Sequence, residues 1–256
     1  MSDIDFKFEN DELHFRVDGN LGLITFKKAA FAGLANLETT GKILDIFDWL
    51  EQDPIIKGIL VFNTKDAFAD ESYEAFLKEL IGDKNNKDIN RTLLGEKRII
   101  RARQINSLNN FIRKIINLRK LVFFCLQGRV VTPYFGACLS SDFRFVSDSL
   151  VFSLAHIKYG VHPIGALPFF LGKFLNESKA MKILINCADI KKNEALNLGL
   201  VDMIFPEDEF HDACIEEAQK LIQIDDEVLR LTKRLTYHFQ DELENYFNLE
   251  AKLIGL

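Results

Sequence analysis

The sequence lacks most of the features that mark metal-binding, secreted, membrane-spanning or nucleic-acid-binding chains. Its 256 residues include four cysteines, Cys125, Cys138, Cys187 and Cys214, and no two of them are close neighbours. Neither CxxC spacing nor a Cys/His zinc pattern occurs, so no metal site is expected. Cys125, Cys138 and Cys187 stand among apolar neighbours and read as buried, reduced thiols. No apolar run approaches the ~18 residues of a membrane span, and the longest, Leu121 to Leu126, has the length of a strand. The acidic stretch Met1 to Glu12 has neither the basic start nor the apolar centre of a signal peptide. These absences predict a cytoplasmic protein with no membrane partner. Lysine and arginine form no block, and the formal net charge is -6, which argues against a nucleic-acid partner. Tryptophan and tyrosine are scarce, 1 and 5 residues, against 23 phenylalanines, which suits a Phe-rich core or an acyl-chain pocket.

What is present is a regular alternation of short apolar runs and helical patterns. Leu13, Phe15 and Val17 alternate with His14, Arg16 and Asp18, the period-2 mark of a half-buried strand, and Gly19-Asn20 reads as a tight turn into a returning strand over Leu21 to Phe26. Ile43, Leu44, Phe47 and Leu50 predict a helix over Leu37 to Gln52, ended at Asp53-Pro54. Gly58 to Asn63 and Leu121 to Leu126 are nearly all apolar and suit strands buried on both faces. Between them, Gly82 to Asn90 reads as a polar loop, and Ile99 to Leu118 as a helix with Ile105, Leu108, Phe111, Ile112, Ile115 and Ile116 on one face. Shorter strands are expected at Phe143 to Val146 and Leu150 to Phe152. Helices are expected at Ala180 to Cys187, Lys192 to Leu198 and His211 to Ile222, with a long one over Glu227 to Leu253. The order predicts an α/β fold with a parallel core and a helical carboxy-terminal region.

Six segments in this order resemble the crotonase, or enoyl-CoA hydratase/isomerase, superfamily. They are Gly22 to Phe26 (GLITF), Asp53 to Phe68 (DPIIKGILVFNTKDAF), Leu121 to Gly128 (LVFFCLQG), Asp142 to Phe152 (DFRFVSDSLVF), Asn193 to Asp208 (NEALNLGLVDMIFPED) and Val228 to Leu235 (VLRLTKRL). The resemblance implies a crotonase-like (ClpP/crotonase) fold of stacked strand-strand-helix turns with a C-terminal helical domain. On that reading residues 1–190 form the α/β core and 191–256 an oligomerising helical region. It also implies homotrimers or hexamers and acyl-CoA thioester substrates, with no cofactor required.

The chemistry of that family stabilises a thioester enolate with two backbone N–H groups, while carboxylates move protons or activate water. The first donor loop corresponds here to Phe68-Ala69-Asp70-Glu71-Ser72-Tyr73, which has no glycine and places two acids where an oxyanion would form; Ser72 is the weak candidate donor. The second donor turn corresponds to Gln127 through Gly136. It puts Pro133, which has no N–H, at the donor position and Gly136 at the first catalytic glutamate, with Thr132 and Tyr134 as site-lining candidates. The second glutamate position falls on His156, held in register by Phe152, Gly160 and Pro163. Imidazole works as a general base near neutral pH. A histidine there is similar to the 6-oxocamphor hydrolase branch, which cleaves a carbon–carbon bond in cyclic β-diketones, but Gly165 stands where that branch has a partner Asp. Lys27 and Lys28, after the opening strand, are the candidates for CoA phosphates. His162 reads as a loop residue, His14, His211 and His238 as surface residues, and there is no G-x-S-x-G elbow for Ser/His/Asp catalysis.

The sequence therefore predicts a family member with replaced catalytic carboxylates. One reading makes it an enzyme, a lyase, isomerase or carbon–carbon hydrolase acting on an acyl-CoA or β-dicarbonyl substrate with His156 as base. The other makes it a non-catalytic ligand-binding or assembly subunit. Ordinary hydratase activity is not expected on either.

Overall fold

A computed structural model describes residues 8–28, 30–31, 37–81, 89–95, 97–154 and 156–253. The chain opens with β1 (Phe8–Glu9), β2 (Leu13–Asp18) and β3 (Leu21–Phe26), followed by α1 (Leu37–Gln52) and β4 (Gly58–Asn63). Next come α2 (Asp70–Ile81), α3 (Ile89–Leu94), α4 (Arg98–Asn117) and β5 (Leu121–Leu126). A compact stretch follows: β6 (Arg129–Val131), α5 (Thr132–Cys138), β7 (Phe143–Ser147), β8 (Val151–Ser153), α6 (Leu167–Phe174) and α7 (Glu177–Asn186). The remainder is β9 (Ile190–Lys191), α8 (Lys192–Asn197), β10 (Met203–Phe205), α9 (Phe210–Leu221), α10 (Asp226–Thr236) and α11 (Gln240–Leu253).

The large sheet has the order β1-β2-β3-β4-β5-β7-β10, antiparallel through β3 and parallel from β3 to β10. Its central strands read as continuous apolar runs because both faces are covered. Ile24, Ile59, Val61, Val122, Phe124 and Val146 face the main core with Ile43, Phe47 and Leu50 of α1 and Ile105, Phe111 and Ile112 of α4. The alternate residues Leu23, Leu60, Phe62, Phe123, Cys125 and Phe145 face Phe210, Cys214 and Ala218 of α9 and Leu229 of α10. The expected region 191–256 thus supplies helices and also β10, the last strand of this sheet. A second sheet of β6, β8 and β9 aligns Val130, Phe152 and Ile190 and positions the segments considered below.

Four local expectations are corrected. The stretch from Asp70 is the first turn of α2, with Tyr73, Phe76 and Leu77 as its buried stripe. Thr132 to Gly136 lies inside helix α5, with Pro133 in its first turn, where a missing N–H costs nothing. Ile89 and Asn90 belong to α3, and the rest of the expected loop, 82–88, lies outside the described residues. The long helix over Glu227 to Leu253 is two helices, α10 and α11.

A buried ion pair accounts for the break between them. Asp142, before β7, accepts hydrogen bonds from Val122 N at 2.7 Å, Lys233 Nζ at 2.7 Å and Tyr237 Oη at 2.9 Å. Lys233 also donates to Lys120 O at 2.7 Å. Tyr237 ends α10, and its hydroxyl is pushed up by burial and by the Asp142 charge, so it stays a donor. Helix α10 is thereby tied to the amino-terminal ends of β5 and β7. Asp142→Ala leaves the Lys233 ammonium buried without its carboxylate, and stability is expected to fall by ~3 kcal/mol. Urea denaturation measures this as a lower midpoint with unchanged slope; no change in midpoint contradicts the clamp.

Candidate functional site

The candidate site is built where α5 meets the turn that enters α6. All seven residues of α5 are buried. A Cβ added to Gly136 would lie 2.2 Å from Gly165 O and 2.8 Å from Leu167 N. A Cβ added to Gly165, whose φ is +74°, would lie 2.1 Å from Pro133 O. Backbone packs directly on backbone, and glycine is required on both sides. The Gly136 position therefore has neither an acid nor space for one, and Pro133 brings no N–H to the same turn.

Tyr134 points away from solvent into the aromatic core. Its ring stacks on Phe68 at 3.5 Å between centroids and meets Phe26 and Phe124 edge-on at 5.6 Å. Burial pushes its hydroxyl well above the ordinary phenol range, and no described hydrogen-bond partner satisfies it. Ser72 donates to Asp66 O at 2.6 Å, which ties it to the turn before α2. Lys27 donates to Glu9 Oε1 at 2.6 Å and Asn10 O at 3.0 Å, whereas Lys28 is exposed.

Thr132 and His156 do come together. The Thr132 hydroxyl lies 3.3 Å from His156 Nδ1 and 3.2 Å from Ser153 O. The other ring nitrogen, Nε2, lies 3.1 Å from Leu184 O and 3.6 Å from Cys187 Sγ. His156 is 4% exposed, and burial lowers its pKa from 6.5, only partly offset by the Leu184 carbonyl. The imidazole is embedded, and burial favours its neutral form.

Beside it opens a cavity of about 300 Å³, lined by Asp70, Arg129, Ser153, Leu154, Ile157 and Cys187 among others. Its polar wall is a closed network. Asp70 accepts from Arg129 Nε and Ser153 Oγ, both at 2.7 Å. Arg129 also grips Asp189 through two nitrogens at 2.8 and 3.0 Å. The Asp70 charge, which the sequence sets against an oxyanion, is thus matched by a guanidinium. Sequence reasoning missed Arg129, Ser153, Asp189 and Cys187, since separations of about 30 to 120 residues leave no local pattern. Cys187 is also a correction, being partly exposed, with a left-handed φ of 48° at the end of α7.

A second polar group lies between α4 and α11. Arg101 is 1% exposed and donates through Nη1 to Gln104 Oε1 at 2.7 Å, while its Nη2 has no hydrogen-bond partner among the described residues. Burial pushes Glu250 up to about 7, against the pull of Asn109 and Arg101. Among the described residues no group of three or more His, Cys, Asp or Glu could hold a metal ion. No helix there is long and apolar enough to cross a membrane.

A family model described as enoyl-CoA hydratase/isomerase matches residues 17–255. The chain belongs to the enoyl-CoA hydratase/isomerase family. Enoyl-CoA hydratase from Bacillus halodurans superposes with a TM-score of 0.78 at 17% identity, covering 95% of this chain and 94% of that one. A monofunctional enoyl-CoA isomerase from M. smegmatis gives 0.65 at 18% identity, covering 91% and 95%. These likenesses show the crotonase fold. Among sequences, ethylmalonyl-CoA decarboxylase of Bos taurus is 23% identical over 210 residues, 80% of this chain and 62% of that protein. The Homo sapiens protein of the same name is 23% identical over 248 residues, 93% and 74%. The chain thus spans about three fifths of the bovine relative's length.

The Gly136 contact gives a direct test of packing. Gly136→Ala is expected to lower stability by about 2 kcal/mol through overpacking, read by urea denaturation. Gly172→Ala, whose added Cβ meets nothing within 4 Å, is the control. A neutral Gly136→Ala would mean that the two backbones are not in contact.

Proposed function

We propose that this chain is a ligand-binding and assembly member of the enoyl-CoA hydratase/isomerase family that performs none of the enolate chemistry of a hydratase. The Gly136–Gly165 backbone contact carries this reading. Hydration needs positioned proton-transfer groups and two N–H donors aimed at one oxygen. The contact fills the space where the first acid would project, and proline occupies a donor position. The ligand class we assign is an acyl-CoA thioester, supported by the family and by the names of its decarboxylase relatives. Lys28 is exposed and free of the strand-end contacts that hold Lys27, which suits phosphate contact. The homotrimer or hexamer is supported by apolar side chains left exposed on α10 and α11: Val228, Leu231, Leu235, Leu249 and Leu253.

A second reading keeps His156 as a base acting on an acyl thioester or β-dicarbonyl compound. The Thr132 contact at Nδ1 favours it, because an orienting group is what a catalytic imidazole requires. The embedding of the ring and the carbonyl on Nε2 weigh against attack on a proton of a large external substrate.

The test offers the purified protein a panel of enoyl-CoA, β-ketoacyl-CoA, malonyl-type CoA and cyclic diketone compounds, with calorimetry for CoA and short acyl-CoAs. The expected result is heat with an acyl-CoA and no hydration above background. Robust enoyl-CoA hydration overturns the proposal. If a β-dicarbonyl is turned over, His156→Ala decides the second reading: a loss of about 100-fold or more supports it, and wild-type activity removes it.

A further inference from the structure

Cys187, His156 and Thr132 form a line that neither the family assignment nor the enolate chemistry uses. Cys187 Sγ lies 3.6 Å from His156 Nε2, and His156 Nδ1 lies 3.3 Å from Thr132 Oγ1, which lies 3.2 Å from Ser153 O. At rest the Leu184 carbonyl accepts from both the Cys187 thiol, at 2.9 Å, and His156 Nε2–H, at 3.1 Å, with Nδ1 accepting from the Thr132 hydroxyl. The reactive tautomer carries its proton on Nδ1, which donates to the Thr132 hydroxyl while that hydroxyl donates to the Ser153 carbonyl, and Nε2 is then free to take the thiol proton. A nucleophile, a base within reach and a third group that orients the base is the arrangement of thiol and serine acyl-transfer sites. The sulfur is not sealed in the core. Cys187 lines the cavity of about 300 Å³, whereas Cys125, Cys138 and Cys214 are buried.

From this geometry we infer that Cys187 and His156 are a thiol–imidazole pair that accepts an acyl group from a small acyl thioester in the adjoining cavity, with Thr132 as a positioning residue. The surroundings favour the charges that form. When the proton moves from sulfur to Nε2, the new N–H faces Leu184 O at 3.1 Å, so the imidazolium has an acceptor for each of its N–H groups. Burial raises the Cys187 thiol above its ordinary range, and the Ile157 backbone N–H near the sulfur works the other way. The thiol is therefore a resting donor that needs its base. The cavity has apolar side chains, Leu154 and Ile157, for a short acyl group, and Lys158 beside them for negative charge. Its size is at the lower end of small-molecule sites.

The step balances without another reactant. The Cys187 S–H bond breaks, its proton goes to His156 Nε2, and the sulfur's electron pair forms a C–S bond to the thioester carbonyl carbon. The adduct then collapses and its original C–S bond breaks. The leaving thiol takes the proton back from His156. The products are acyl-Cys187 and a free thiol.

The proposal goes beyond the acyl-CoA reading and is tested apart from it. S-acetyl-pantetheine, which lacks the nucleotide, is incubated with the full chain, and the adduct is located by peptide mass mapping. Chloroacetamide reports thiol reactivity in parallel. One acetyl group on Cys187, none on the other cysteines and none in Cys187→Ala is the expected result. Acetylation slows about 100-fold or more in His156→Gln. Thr132→Val slows it several-fold, and Thr132→Ser restores the wild-type rate. An unmodified Cys187, or equal rates in wild type and His156→Gln, overturns the proposal. If His156→Gln does not fold, the Thr132 pair decides: equal rates in Thr132→Val, Thr132→Ser and wild type overturn it. Failure of acyl-CoA to give heat in calorimetry leaves this result untouched.

Discussion

Two stretches of backbone, residues 132–138 and 165–167, touch with no side chain between them. Gly136 faces Gly165 and Leu167, and Gly165 faces Pro133. Any larger residue at either glycine meets main chain, which cannot move aside as a flexible side chain can. This contact seats the first turn of α5 against the entry to α6. It buries Thr132 where its hydroxyl reaches His156, and it directs Tyr134 into the aromatic cluster with Phe68 and Phe26. The fold of the enoyl-CoA hydratase/isomerase family is retained around this contact.

The remaining polar machinery is displaced to one side of that contact. Asp70, Arg129, Ser153 and Asp189 close a network across α2, β6, β8 and the residue before β9, and each acid has a partner. Asp70 and Ser153 are buried while Arg129 and Asp189 reach solvent, so the network is costly to leave half made chiefly at Asp70. It holds α2, β6, β8 and the start of β9 in register around the cavity. His156 does not line the cavity itself and stands against Cys187, which does. That placement leaves the Cys187 thiol as the imidazole's neighbour on the cavity side.

The sheet was legible in the sequence because strands covered on both faces leave no choice of residue. Leu121 to Leu126 and Gly58 to Asn63 are apolar throughout since each alternate side chain enters one of two cores. Helices α1 and α4 were legible from one apolar stripe each. Helices α2 and α5 were obscured because their starts resemble loops of the family: Asp70-Glu71 is a charged first turn, and Thr132-Pro133 is a helix start with proline at the first turn. The break at Tyr237 is invisible locally because Asp142, which sets it, is 95 residues away. Of the candidate residues, the family resemblance singles out Pro133, Gly136 and His156 by register. That the Gly136 space is filled, and that Cys187 stands beside His156, depends on contacts between segments distant in sequence.

Native-state amide hydrogen exchange over α5 tests the central claim most directly. If the Gly136–Gly165 contact is part of the packed core, the amides of Gly136, Ala137, Cys138 and Leu139 exchange only through global opening. Their protection then equals that of the slowest amides of β4 and β5. Exchange of these four amides through a separate opening, at markedly lower free energy than the β4 and β5 amides, would contradict the account. It would show that the closed centre opens while the rest of the fold stays intact.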